Sequence, residues 1–183
     1  MTNEELAAWL SLNFTPRVGP KTFSRLLAID SPLNIVQSEL PALLALGLSA
    51  QQANYLKNRA AKEVAQCFEW QQQSAQHNII TKQESSYPAL LEQAVGSPPG
   101  LFVQGEVNGL SEPQIAMVGS RNASPEGLNT ARSFARALVE QGLTVTSGLA
   151  LGVDGYAHDG ALQGGGRTLA VLGSGLETIY PAR

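Results

Sequence analysis

The chain has 183 residues, of which 43% are hydrophobic and 15% charged, with a formal net charge of −3 and a single cysteine. That length admits one good core or a small domain beside a medium one. Lone Cys67 excludes an internal disulfide framework, and the slight acidity excludes a global basic signature, so any phosphate partner must be met by a local patch or by turn amides.

No apolar run approaches the roughly 20 residues of a membrane span. The start, Met1 to Glu5, has neither the basic end nor the apolar core of an export signal, so a cytoplasmic location is expected. Of eighteen glycines only Gly19 and Gly47 precede Gly96, and that asymmetry divides the chain. Residues 1–76 read as a helical domain. Thr2 and Glu5 are spaced as a helix start, and Leu6, Trp9, Leu10 and Phe14 form the apolar stripe.

Residues 15–22 break this helix and begin another, with Phe23, Leu26 and Leu27 facing inward. The segment has the shape of a helix-hairpin-helix turn. Gly19 lets backbone amides approach a phosphate, with Arg17, Lys21 and Arg25 nearby, and such a turn holds nucleic-acid backbone without reading bases. It equally suits a connector in a helical protein-interaction domain. After a second break at residues 46–49, Ser49 is expected to cap one long helix reaching about Gln73. Residues 77–111 form a connecting region punctuated by Pro88, Pro98 and Pro99. Its two strands, 78–81 and 101–104, either extend the sheet of the next domain or link to it. His77 receives no functional reading.

Residues 112–183 alternate strand-like runs at 115–118, 143–146 and 168–172 with helical stretches at 125–141 and 153–163. This is the pattern of a parallel sheet, with its glycine turns at the carboxyl ends of the strands, where such sheets bind ligands. In the first turn, Gly119 permits close backbone approach, Ser120 offers a hydroxyl and Arg121 a planar cation, ahead of a helix N-terminus capped by Ser124. The competing reading is a tight turn with a solvated arginine. In the second turn, Ser147, Gly148 and the amides that follow offer another phosphate site, while Asp154 reads as a first-turn carboxylate. His158 and Asp159 have no nucleophile or metal partner at a diagnostic spacing, so His158 reads as structural. Gly173 and Gly175 do not make a dinucleotide loop, because Thr178 stands where the third glycine belongs, and no phosphate-binding G-x-x-x-x-G-K-[ST] is present. No catalytic residue, metal or cofactor is assigned.

Taken together, Val118 to Arg121, residues 146–162, and residues 168–173 through Tyr180 and Pro181 resemble the DNA-processing protein A (DprA/Smf) family. The likeness continues upstream in residues 86–91, residues 98–102 and the Gly19 hairpin, and so covers essentially the whole chain. It implies an α/β chain: a small all-helical SAM-like or helix-hairpin-helix domain, then a Rossmann-like parallel sheet. It also implies a non-enzymatic protein that binds single-stranded DNA and helps load the RecA recombinase during natural transformation. The family's Gly-Ser-Arg arginine lies in the DNA pocket, which carries over to Arg121 with Gly119 and Ser120. A basic residue after Tyr-Pro carries over to Arg183.

The family's Rossmann-like domain normally continues past Tyr-Pro, with further strands and the surfaces for homodimerisation and recombinase contact. Residues 112–183 therefore read as the N-terminal half of a C-terminally truncated domain. One alternative is a nucleotide-binding enzyme of the lysine-decarboxylase-like phosphoribohydrolase group, whose Pro-Gly-Gly-x-Gly-Thr and following Glu are absent here. Another is a pure interaction module docking through its helical domain.

Overall fold

Thr2 opens the first helix as its spacing predicts: its hydroxyl accepts the Glu5 N–H, and the Glu5 carboxylate accepts the Thr2 N–H in return. The computed structural model describes residues 1–176 and separates into two units, Met1–Gly105 and Glu106–Arg183. In the first unit, α1 (Asn3–Phe14), α2 (Pro20–Leu27), α3 (Pro32–Gln37), α4 (Leu40–Ala45), α5 (Ala50–Asn58) and α6 (Ala60–Gln72) precede an antiparallel pair, β1 (His77–Thr81) and β2 (Gly100–Gln104), joined through the short α7 (Ala89–Glu92). The core gathers Trp9, Leu12, Phe23, Leu26, Ile35, Leu43 and Leu56. The Trp9 indole N–H is buried and donates to the Pro99 carbonyl at 3.1 Å, which ties α1 to the segment entering β2.

Two expectations change here. The long helix from Ser49 is two helices: Ser49 makes its capping box with Gln52, but Arg59 leaves the helical region (φ −123°, ψ −32°). Leu56 before the break and Ala60 after it are both buried. The strands of the connecting region do not extend the parallel sheet among the described residues; they pair with each other. Side-chain packing accounts for this. The His77 ring stacks on Trp70 at 4.2 Å, Phe102 meets Trp70 edge-on at 5.6 Å, and Ile79 and Ile80 are buried, so the hairpin completes the helical core.

The second unit is wound as the alternation of runs predicts. Strands β3 (Gln114–Ala116), β4 (Thr144–Ser147) and β5 (Thr168–Ala170) are parallel, with β4 central. The connections are α8 (Pro125–Glu140) and α9 (Val153–Gln163). Both crossovers advance in the same direction, so right-handed connection puts both helices on one face, where they pack against each other and against β4. Their core is small: Ala135, Val139, Val145, Ala157 and Ala161. Contact this close needs a glycine. A Cβ at Gly160 would collide with the Arg132 carbonyl across the helix pair. Beside that crossing, Arg132 pairs with Asp159 at 2.6 Å and lies over the Tyr156 ring at 4.4 Å.

A 3-10 turn, Val107–Ser111, precedes β3, with Gly109 buried near Leu169 of β5. Arg167 holds this segment through ion pairs to Glu106 at 2.9 Å and to Glu112, which also accepts the Thr144 hydroxyl.

Candidate nucleic-acid interface

Because β3, β4 and β5 are parallel, the loops after them converge on one edge of the sheet. The Gly119–Ser120–Arg121 turn leaves β3 exposed on its outer side. The Ser120 hydroxyl accepts the Asn122 N–H at 3.1 Å, closing a local turn. Among the described residues, the backbone N–H groups of Gly119, Ser120 and Arg121 have no acceptor, and the Arg121 guanidinium has no hydrogen-bond or ion-pair partner. Open turn amides beside a cation are the ingredients from which anion sites are built.

The surrounding charges make Arg121 stand apart. Residues 106–183 contain no lysine. Of the arginines described there, Arg132 is paired with Asp159, Arg136 with Glu140 at 2.9 Å, and Arg167 with Glu106 and Glu112. Arg183 lies outside the described residues, as do Tyr180 and Pro181.

Position in the fold also separates the other sequence-selected groups. The N-terminus of α8 is served by its own residues: Ser124 accepts the Gly127 N–H, and Glu126 is held below the usual carboxylate range by its own amide N–H and by Ser124. In the second loop, Ser147 is buried and donates its hydroxyl to the Met117 carbonyl at 2.6 Å. The Gly148 N–H donates to Asp154 Oδ2 at 3.1 Å. Asp154 is therefore more than a first-turn carboxylate: it is buried and fastens the start of its own loop. Ser147, Gly148 and Asp154 turn inward and brace the edge at which Gly119, Ser120 and Arg121 remain open.

His158 occupies the structural position expected of it. Thr168 donates its hydroxyl to the Val145 carbonyl at 2.8 Å, so it accepts from His158 Nδ1–H at 2.6 Å. His158 Nε2 is buried without a hydrogen-bond partner among the described residues, and burial lowers the imidazole pKa against the opposing pull of Asp154. No three His, Cys, Asp or Glu side chains converge as a metal site among the described residues.

In the first unit, the residue 15–22 segment forms a tight turn. Arg17 adopts φ +62°, Val18 is buried, and Gly19 caps α2 without a side-chain hydrogen bond. Arg17 and Lys21 are exposed, but Arg25 is engaged elsewhere: it donates to the Leu46 carbonyl at 2.8 Å, closing the end of α4. Sequence reasoning missed two residues that matter at the second unit's edge, Gly152 and Val153. The available signal was a glycine at the cap of α9, where a side-chain cap is the usual choice.

Comparison with known proteins places these features. Residues 78–183 match the family model described as DNA recombination-mediator protein A. The chain is 40% identical to Protein Smf of Escherichia coli over 149 residues, covering 80% of this chain and 40% of that one. It is 32% identical to Protein Smf of Synechocystis over 187 residues, covering 99% of this chain and 47% of the relative. The chain thus spans less than half the length of either relative. The X-ray structure of DNA processing protein A (DprA) from Streptococcus pneumoniae matches with a TM-score of 0.76 at 26% identity, over all of this chain and 61% of that one. No helix among the described residues is long and apolar enough to cross a membrane.

Proposed function

This chain belongs to the DNA recombination-mediator protein A family, and from that premise we propose that it binds single-stranded DNA through the Gly119–Ser120–Arg121 turn as a non-enzymatic component of DNA processing in recombination and natural transformation. One observation carries the reading. In a unit without lysine, whose other described arginines are all paired, Arg121 keeps its guanidinium unpaired beside three amides that have no acceptor. A phosphate of the strand sits on the amides, and the guanidinium neutralises it or stacks on the adjoining base. Ser147 and Gly148 support this edge from within. Arg183 belongs to the same proposed strand path, and the Arg17–Gly19–Lys21 turn supplies a further backbone contact in the first unit. RecA is the proposed partner that receives the strand, in the cytoplasm. The same reading assigns RecA contact and homodimerisation to the longer proteins of the family.

Binding of labelled oligo(dT) and of duplex DNA across a salt series tests the reading. Arg121→Ala should lower single-strand affinity about tenfold, the scale of one charge-assisted contact. It should also flatten the salt dependence by about 0.7 in logarithmic slope, the value for one phosphate contact on a single strand. A folded Arg121→Ala protein with unchanged affinity would overturn the assignment. Assembly of RecA on single-stranded DNA, with and without the chain, tests the partner; an unchanged assembly rate removes RecA loading from the function of this chain.

A further inference from the structure

We infer that Gly152 and Val153, at the start of α9, are positioning residues that set the conformation of the Gly119–Ser120–Arg121 turn; the inference rests on the reading of that turn as the strand-binding site. The two loops meet backbone to backbone. Val153 N–H crosses from the second loop to donate to the Ser120 carbonyl at 3.1 Å. Gly152 sits at φ +85°, and a Cβ there would overlap the Ser120 carbonyl and come within 2.7 Å of Arg121 Cα. The contact is reciprocal, because a Cβ on Gly119 would lie 2.7 Å from Val153 Cγ2. Gly152 is thus confined to glycine twice, by its backbone angle and by the atoms of the turn it touches.

This arrangement accounts for how Ser120 is used. Its carbonyl is taken by Val153, while among the described residues the N–H groups of residues 119–121 have no acceptor and the Arg121 side chain stays exposed. The second loop is itself fastened: Asp154 Oδ2 takes the Gly148 N–H, and the Gly155 N–H donates to the Ala150 carbonyl at 3.0 Å. It therefore presents Gly152 and Val153 as a fixed abutment. Geometry at a phosphate site is sensitive at this scale, since displacement by about 1 Å removes most of a well-placed contact.

Two substitutions act on the abutment differently. Gly152→Ala pushes the turn away by steric overlap. Val153→Pro deletes the N–H that holds Ser120, at the first position of a helix, where proline is accepted because the helix itself does not need that N–H. Each, in the full chain, is expected to lower oligo(dT) affinity about tenfold, matching Arg121→Ala, and to flatten the salt slope as that variant does. Combined with Arg121→Ala, each should cost less than it does alone, because the guanidinium contact it positions is already gone and only the amide contacts remain to be lost. Should Gly152→Ala fail to fold, Val153→Pro carries the test, with helix content and the thermal midpoint as the check on folding. Full affinity in a folded variant, or losses that simply add to that of Arg121→Ala with the salt slope unchanged, would overturn the inference. If Arg121→Ala itself binds normally, the strand-binding reading fails first. A crystal structure of either variant then decides the positioning claim separately: displaced Ser120 and Arg121 support it, and an unmoved turn refutes it.

Discussion

The two units solve the same packing problem with opposite materials. Among the largest side chains of the described residues that are almost wholly buried, Trp9, Leu10, Leu12, Leu26, Ile35, Leu43 and Thr81 belong to the first unit and only Val145 to the second. The first unit fills space with large side chains, and its helix ends are closed by cations, Arg25 on the Leu46 carbonyl and Lys57 on those of Val36 and Gln37. The second unit removes side chains so that backbones can meet, at Gly160 against α8 and at Gly152 against the Gly119–Ser120–Arg121 turn. Its arginines are consumed in ion pairs, apart from Arg121 among those described. A glycine-packed contact fixes backbone against backbone, as a site built from amides requires.

The contrast breaks if removing volume does not hurt the first unit, and Trp9 gives the largest expected effect. Trp9→Ala leaves a cavity and takes the indole N–H from the Pro99 carbonyl, which keeps the Lys82 N–H, so it should destabilise the chain by about 3–5 kcal/mol in urea unfolding. Adding volume is the matching test of the second unit. Gly160→Ala drives a methyl group into the Arg132 carbonyl and should cost about 1–3 kcal/mol, seen as lost hydrogen-exchange protection in α8 and α9. Retained protection would mean that the helices are not in the close contact described.

A smaller effect is expected from Ser49→Ala, which removes the capping box of α5; about 1 kcal/mol should be lost in urea unfolding while the second unit keeps its exchange protection. The smallest effect is a pH dependence. His158 is held neutral by burial, so its folded pKa lies below the ordinary 6.5. The unfolded chain takes up its proton near that value while the folded chain still resists, so His158's contribution to stability is complete above 6.5 and falls as the pH drops through and below it. His158→Gln should remove this slope between neutral and mildly acidic pH, and an unchanged slope would assign it to other groups.

Much of this was legible in residue order. Thr2 with Glu5 and Ser49 with Gln52 announced helix starts through local hydrogen bonds, and the alternation of apolar runs with helical stretches in residues 112–176 announced the parallel sheet. The break at Arg59 was not legible, because residues 49–73 keep a helical pattern throughout and carry neither glycine nor proline. The strands at 77–81 and 100–104 read correctly as strands but not as partners of each other. Their pairing depends on Trp70 and Phe102, which lie far apart in the chain.

At the candidate site, the sequence by itself determined the ingredients: an arginine and glycines in a turn after a parallel strand, in a unit without lysine. The tertiary structure decided which ingredients face outward. Ser147 and the Gly148 amide looked as suitable for phosphate as the first turn, yet Met117 and Asp154 claim them, while Gly152 and Val153 hold Ser120 so that its turn stays open. Spacing along a chain fixes which local hydrogen bonds can form. Whether a donor is spent or left free depends on acceptors brought in from other elements, and those meet only when α9 docks beside the end of β3.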